Sequence, residues 1–479
     1  MTLNDPIDEA IEAVPGRVAF IAGGDRITYQ QVGVAVASTG AALAGRGVSA
    51  GDRVPLVDAA GLLAVATVLG CARIGAAAAP MSTQLKPAEI AALAAAAGCE
   101  QRAVAVPETA AAVAEALGRE PFGADALLAG TDPAPAPATP SDDDVAVVLF
   151  TSGTTGVPKP VPLSHGVLER RVRSFAATPD SGAEPAVSIV CVPFHHVAGL
   201  VGVLVGLAGG NTAVVQPRFD AGEWLELVEA HRVQRAFLVP AMLRRILEHP
   251  GARDADLRSL QMVTYGAAPA APELIERAVE AWPHAAFINV FGQTETLGAV
   301  TALGPDDHRA GRAGSVGRAM PGVEIRIVDP STGADVAEGD FGEFWVRAPH
   351  TVTPGWIRTG DVARRDADGY LYAAGRLSDV INRGGEKIDP SEVEAALRAH
   401  PEVADAAACG YPDAELGERV AAIVVRKGSV DARALRAWCG ERLARFKVPD
   451  RFEFVSELPL TELGKVSRRV LRSMLAGQG

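Results

Sequence analysis

The run Val147–Ser164, VVLFTSGTTGVPKPVPLS, constrains this chain more than any other stretch. An apolar segment with the character of a buried strand runs straight into Thr151, Ser152, Gly153, Thr154, Thr155 and Gly156, and Lys159 follows. Glycines let backbone N–H groups turn toward an anion, hydroxyls add neutral donors, and a lysine adds a point charge. The segment reads as a phosphate-holding turn at the end of a strand, where a plain surface turn would need none of that charge and so few small residues. It is not a Walker loop, which needs four residues between its glycines and Lys-Ser or Lys-Thr after them. Here Val157 and Pro158 part Gly156 from Lys159, and Pro160 follows.

Around this turn, short apolar runs alternate with longer helical patterns. Val54–Val57, Val145–Phe150, Ile189–Val192, Ala213–Val215 and Ala236–Val239 read as strands, and the alternation predicts an α/β architecture with mainly parallel strands. Residues 131–144, TDPAPAPATPSDDD, cannot pack a core and predict an exposed loop. Near residue 378 the register changes. A strand-like GYLYAAGR precedes it, and after it come an amphipathic helix at Glu392–Ala399, strands at Ala404–Gly410 and Val420–Val425, and a helix from about Asp431 to Leu443. That predicts domains at 1–377 and 378–479, the second a small α+β unit. Its last part, Arg442–Gly479, is rich in Lys and Arg, which suits either a solvated helical face or a patch facing a polyphosphate.

Composition narrows the function classes. A chain of 479 residues exceeds what one core serves, so two or more domains are expected. Its net charge of −13 argues against nucleic acid or an anionic membrane as partner, since both reward clustered positive charge. Cys71, Cys99, Cys191, Cys409 and Cys439 are scattered with no CxxC pair, which predicts reduced thiols in a cytoplasmic protein and no zinc site. The N-terminus carries acids where a signal peptide carries basic residues, which predicts no export. The apolar runs Ala59–Ala72 and Val197–Gly210 are each about 14 residues, short of the ~20 needed to span a bilayer, and read as buried helices.

Further motifs recur in order: PFHHVAG at 193–199, YGAAP at 265–269, FGQTE at 291–295, WIRTGD at 356–361, GRLSDVINRGGEKIDP at 375–390 and LPLTELGK at 458–465. With the phosphate turn they cover most of the chain from about residue 145, and the chain resembles the acyl-adenylate-forming superfamily in its acyl-CoA synthetase branch. The resemblance implies a large N-terminal domain of mixed, mainly parallel sheets with flanking helices and a small mobile C-terminal α+β lid. It implies ATP, Mg²⁺ and coenzyme A as the groups bound, and a small carboxylic acid as the partner substrate.

The resemblance also carries roles onto these positions. Thr151–Gly156 and Lys159 hold phosphate. Gly266, Ala267 and Ala268 form one wall of the adenine site, and Phe291 stacks on the base where relatives commonly have tyrosine. Thr294 donates to the α-phosphate, and Glu295 is the metal ligand, a carboxylate suited to Mg²⁺. Asp361 matches the ribose-binding carboxylate and Arg376 its cationic neighbour. His196 matches the histidine near the acyl and thiol entrances. Lys465 bridges acid and α-phosphate during adenylation only. The C-terminal domain then turns about residue 378 and presents Gly384 and Gly385 to the pantetheine arm.

Three positions depart from the family pattern: Pro160 replaces a usual glycine, the interval from Arg347 to Trp356 is short, and Ser378 stands where relatives carry Asp or Lys. None removes a charged catalytic group. The reading is an ATP-dependent carboxylic acid:CoA ligase. The alternatives are a stand-alone enzyme loading a carrier protein and a nucleotide-binding protein without catalysis. Between Val192 and Val203 there is no Asp to hold an α-amino group, which argues against amino acids; Phe194–Leu200 and residues 288–299 predict a monocarboxylic, mainly hydrophobic acid.

Overall fold

The computed structural model describes residues 1–100, 102–128, 140–151, 159–180, 182–460 and 466–476. They gather into two compact units. The first comprises Met1–Ala313, Ala319–Glu324 and Arg347–Ile357; the second comprises Gly314–Arg318, Ile325–Val346 and the chain from Arg358 onward. Residue 378 falls within the second unit.

Each expected apolar run of the first unit becomes a strand: Arg53–Val57, Val145–Thr151, Val187–Val190, Thr212–Val215 and Arg235–Leu238. The third starts and ends two residues earlier than its apolar run, because the ladder closes when Gln216 N–H donates to Val190 O and the chain then leaves the sheet toward Pro193. In one sheet Gly298–Leu303, Ala286–Gln293, Met262–Gly266, Arg235–Leu238, Val187–Val190, Thr212–Val215, Val18–Ala22 and Asp25–Thr28 are neighbours in that order. The inner pairs are parallel, and antiparallel hairpins flank them. A second sheet orders Val104–Ala105, Arg53–Val57, Ala77–Met81, Val145–Thr151 and Lys159–Ser164, the last two as a hairpin.

In that hairpin Pro160 pairs with Phe150 and Pro162 with Val148, while Val161 and Leu163 are buried. Lys159–Ser164 is the outermost strand, so both prolines lack their N–H on the open side, where no ladder bond is lost. Pro160 thus belongs to the hairpin stem.

Helices Tyr29–Gly45 and Leu62–Arg73 pack backbone to backbone. A Cβ on Gly70 would lie 3.0 Å from Gly40 N and 3.2 Å from Val36 O. The second of these helices is the apolar run at 59–72, buried around Val65, Val68 and Leu69 in the main core with Leu56 and Phe20. The other run becomes the helix Val197–Ala208. Among the described residues no helix is long and apolar enough to cross a membrane.

The second unit holds a four-stranded sheet ordered Glu324–Val328, Gly342–Arg347, Ile357–Arg365 and Leu371–Arg376. Its C-terminal part is α+β as expected: Glu386–Ile388, Ile381–Arg383, Gly417–Arg426, Val403–Asp413 and Arg451–Val455 form a sheet, with helices Pro390–Arg398, Ala432–Gly440 and Arg468–Ala476. Its core joins Val393, Leu397, Ala422, Val424 and Leu435.

The glycine contact between the first unit's helices sets a steric limit. Gly70→Val should destabilise this unit by about 3 kcal/mol through overpacking against backbone that cannot yield, read as an earlier urea midpoint. A midpoint equal to that of the parent would mean that the two helices can part freely.

Candidate active site

The site of the first unit lies at the carboxyl ends of two parallel strands, Met262–Gly266 and Ala286–Gln293. Their register pairs Tyr265 with Asn289 and Gly266 with Val290, and in open α/β sheets this end is where ligands bind. A Cβ at Gly266 would collide with the Val290 carbonyl oxygen, so only glycine allows the approach. Ala267 follows at φ +64°, in the left-handed region that an alanine side chain disfavours. Among the described residues just three non-glycine positions have positive φ, Arg232, Ala267 and Leu297. Two of them flank this site, and backbone strain of this kind collects at functional sites. Phe291 sits on the neighbouring strand one residue past Val290, so an aromatic face and the small residues Gly266, Ala267 and Ala268 come from adjacent strand ends.

After a bulge between Phe291 and Gly292 the chain makes a tight turn at Thr294–Thr296 and returns as Gly298–Leu303, pairing Gln293 with Gly298 and Gly292 with Ala299. Thr296 is fully buried; its hydroxyl accepts from Gln293 N–H at 3.0 Å and donates within the turn, with Gly298 O at 2.7 Å. Leu297, at φ +49°, donates its N–H to Thr294 O at 3.0 Å. Thr294 and Glu295 are left half-exposed at the tip. No hydrogen bond or ion pair among the described residues engages the Glu295 carboxylate, and none of them form a cluster of three or more acids, histidines or cysteines able to hold a metal.

Two supports were not legible in the motifs. Tyr265 is buried and its hydroxyl contacts His308 Nε2 at 2.9 Å, while His308 Nδ1 contacts Gly304 O at 2.6 Å. Since the carbonyl can only accept, His308 carries its proton on Nδ1, and its Nε2 accepts a hydrogen bond from the Tyr265 O–H; burial pushes the Tyr265 phenol up and the His308 imidazole down. The second is Arg171 with His350, whose Nε2 lies 3.2 Å from a guanidinium nitrogen. His350 belongs to the short interval 347–356, and two residues on Val352 N–H donates to Glu295 O at 3.1 Å. The 347–356 interval therefore contacts the backbone of a candidate site residue.

His196 stands at the start of helix Val197–Ala208, half-exposed, its ring centroid 4.3 Å from that of His195. Phe194 and Leu200 are buried in the core, so of the stretch Phe194–Leu200 expected to line an acyl pocket only His195–Ala198 are half-exposed. Thr151 and Lys159 are register partners at the hairpin ends that bracket residues 152–158. Ser152, Gly153, Thr154, Thr155, Gly156 and Lys465 lie outside the described residues, as does most of the 131–144 loop.

In the second unit Asp361 and Arg376 are register partners on adjacent strands, with Nε to Oδ1 at 2.8 Å. Arg376 also donates to Thr359 O at 3.2 Å. Gly384 and Gly385 form the two-residue turn of a hairpin at φ +59° and +95°, the sign pair that such turns require. Ser378 is exposed, and its carbonyl accepts from Arg472 at 3.2 Å. Arg468 reaches Asp379 at 3.2 Å and Glu394 at 3.0 Å and donates to Ala408 O. These two arginines of the basic C-terminal stretch are thus engaged by carboxylates and backbone carbonyls of their own unit.

An aromatic residue beside small residues on adjacent strand ends, at the carboxyl edge of a parallel sheet, with hydroxyl and carboxylate on the next turn, suits a nucleotide-binding α/β enzyme. The family model for AMP-binding enzymes matches residues 7–356, and that for the AMP-binding enzyme C-terminal domain matches 392–465. The chain belongs to the AMP-binding enzyme family, among acyl-CoA ligases. It is similar to a feruloyl-CoA synthase of Amycolatopsis sp, 34% identical over 96% of both chains, and to the fatty acid–acyl-carrier-protein ligase ScoC of Streptomyces coeruleorubidus, 31% identical over 97% of this chain and 94% of the other. The structure of the amide bond synthetase McbA from Marinactinospora thermotolerans superposes with a TM-score of 0.86 at 30% identity, covering 99% of this chain and all of that one.

Ala267 offers a direct test of function stored as strain. Ala267→Gly should raise stability by about 0.5–1 kcal/mol by relieving the left-handed backbone, while raising KM for ATP through loss of the wall methyl. If thermal stability falls instead, the methyl packs the fold and does not face a ligand.

Proposed function

We propose that this chain is an ATP-dependent carboxylic acid:CoA ligase for monocarboxylic, mainly hydrophobic acids. A carboxylate oxygen attacks the α-phosphorus of ATP, pyrophosphate leaves, and the acid becomes a mixed anhydride with AMP. The thiol of coenzyme A, having lost its proton, then attacks the acyl carbon and AMP departs. The observation that carries this reading is the placing of Phe291 and Gly266–Ala268 at adjacent strand ends, next to a turn whose Thr294 and Glu295 are half-exposed.

Within the first unit, Phe291 stacks on adenine. Thr294 donates to the α-phosphate, where charge builds as the phosphorus is attacked, and the hydroxyls and N–H groups of 151–156 with Lys159 hold the rest of the triphosphate. Magnesium fits Glu295: a hard cation takes carboxylate oxygen together with substrate phosphates and water, and this carboxylate has no competing partner among the described residues. When bound, the ion neutralises charge on the departing pyrophosphate. His196, half-exposed at a helix start, borders the acyl group. In the second unit, the two oxygens of Asp361 accept from the ribose hydroxyls, with Arg376 holding that carboxylate in place. Lys465 carries the cation that joins acid and α-phosphate during adenylation, and the Gly384–Gly385 turn admits the pantetheine arm.

Pyrophosphate release across a panel of acids, followed by mass spectrometry of the thiol product, tests the reading. Release that depends on the acid, with acyl-CoA formed from free coenzyme A, is expected. Acyl-adenylate that reacts only with a pantetheinylated carrier protein would favour the carrier-loading activity named for the relative ScoC, and no release with any acid would favour a non-catalytic nucleotide binder. Lys465→Ala should lose acyl-adenylate formation by about a hundredfold or more and still turn supplied acyl-adenylate plus coenzyme A into thioester. Equal loss in the two half-reactions would remove that role.

A further inference from the structure

Arg171 lies on helix His165–Phe175 and is 3% exposed. Two residues on, Arg173 pairs with Glu9 at 2.6 Å and Glu169 at 2.5 Å. No carboxylate among the described residues pairs with Arg171, which makes its interactions with His350 Nε2 at 3.2 Å, with Ala299 O at 2.6 Å and over the Phe175 ring at 4.3 Å. Its Nε has no partner among the described residues. Burying a cation without a counter-ion is expensive, and a residue of the same bulk without charge would pack the helix at lower cost. The charge therefore calls for an explanation beyond packing.

The two acceptors supply one. Ala299 is the register partner of Gly292 across the hairpin whose tip is Thr294–Glu295. His350 sits two residues before Val352, whose N–H donates to the Glu295 carbonyl. A guanidinium is a rigid fork of donors and cannot accept, so one plane grips the return strand of the turn and the segment whose Val352 N–H donates to the turn. His350 must present an unprotonated Nε2 to be gripped, and burial beside Arg171 holds its imidazole down at about 4. A Cβ on Gly298 would lie 3.5 Å from the same guanidinium, so the contact runs along the backbone of the hairpin.

We propose that Arg171 is a positioning residue for adenylation: through Ala299 and His350 it fixes the Thr294–Glu295 turn in the geometry that meets phosphate and metal. This rests on the role given to that turn above. No motif match points to Arg171; the inference comes from a buried guanidinium whose two acceptors lead to one turn by separate routes.

Arg171→Met, Arg171→Lys, His350→Ala and the Arg171→Met/His350→Ala pair test it, with two readouts. Hydrogen exchange of the Leu297 and Val352 amides should quicken by about fivefold or more in Arg171→Met. The adenylation kcat should fall about a hundredfold, with KM for the acid within twofold and thioester formation from supplied acyl-adenylate unchanged. Arg171→Lys, a point charge without the rigid fork, should recover part of the loss, and the pair should cost no more than Arg171→Met alone, as expected for groups acting on one turn. If Arg171→Met fails to fold, His350→Ala carries the same two readouts with Arg171 in place. Unchanged exchange at both amides, an equal fall in both half-reactions, or a change confined to acid preference would overturn the proposal, the last pointing to a substrate anion as the missing partner. Glu295→Gln, measured in parallel, separates the two ideas: an unaltered Mg²⁺ requirement there removes the metal role of Glu295, whereas the exchange readout still decides whether Arg171 holds the turn.

Discussion

The first unit depends on the parallel pairing of Met262–Gly266 with Ala286–Gln293, closed at its carboxyl end by the contact of Gly266 with the Val290 carbonyl. That contact leaves no room for a side chain, so the two strand ends approach as bare backbone and the next residues must diverge. Ala267 diverges by turning left-handed and Phe291 by leading into a bulge.

How much of this could be read from the chain depends on the range of the interaction. The strands at 53–57, 145–151, 212–215 and 235–238 and the helices at 62–73 and 197–208 announce themselves by local periodicity, and the structure has them all. The double glycine at 384–385 announces a turn with two positive φ values, and it is one. By contrast, Arg171 and His350 are 179 positions apart, and Tyr265 and His308 are 43 apart. Nothing in an isolated arginine or histidine says that it will be buried beside another. Ala267 was legible as a small residue, but its left-handed backbone was not, since alanine carries no preference for that region. The two candidate fates of the basic C-terminal stretch could not be separated by charge counting, because the carboxylates Asp379 and Glu394 that engage Arg468 lie far upstream.

That engagement bears on the residues around 378. Arg472 and Arg468 tie the final helix, Arg468–Ala476, to Ser378 and Asp379, so the exposed serine is held at its carbonyl and not by its side chain. A residue that contributes only backbone can be replaced with little cost to the tie. The charge at this point comes from Asp379 and the two arginines.

The alternate prolines of the strand Lys159–Ser164 matter beyond the fold that they permit. This strand is the outermost of its sheet, and an outer strand with a full row of amides is a template on which another polypeptide can add itself, the first step toward intermolecular aggregation. Pro160 and Pro162 leave that row without donors at two successive outward positions. The hairpin of Val145–Thr151 and Lys159–Ser164 can therefore stand at the margin of its sheet without inviting a foreign strand to extend it.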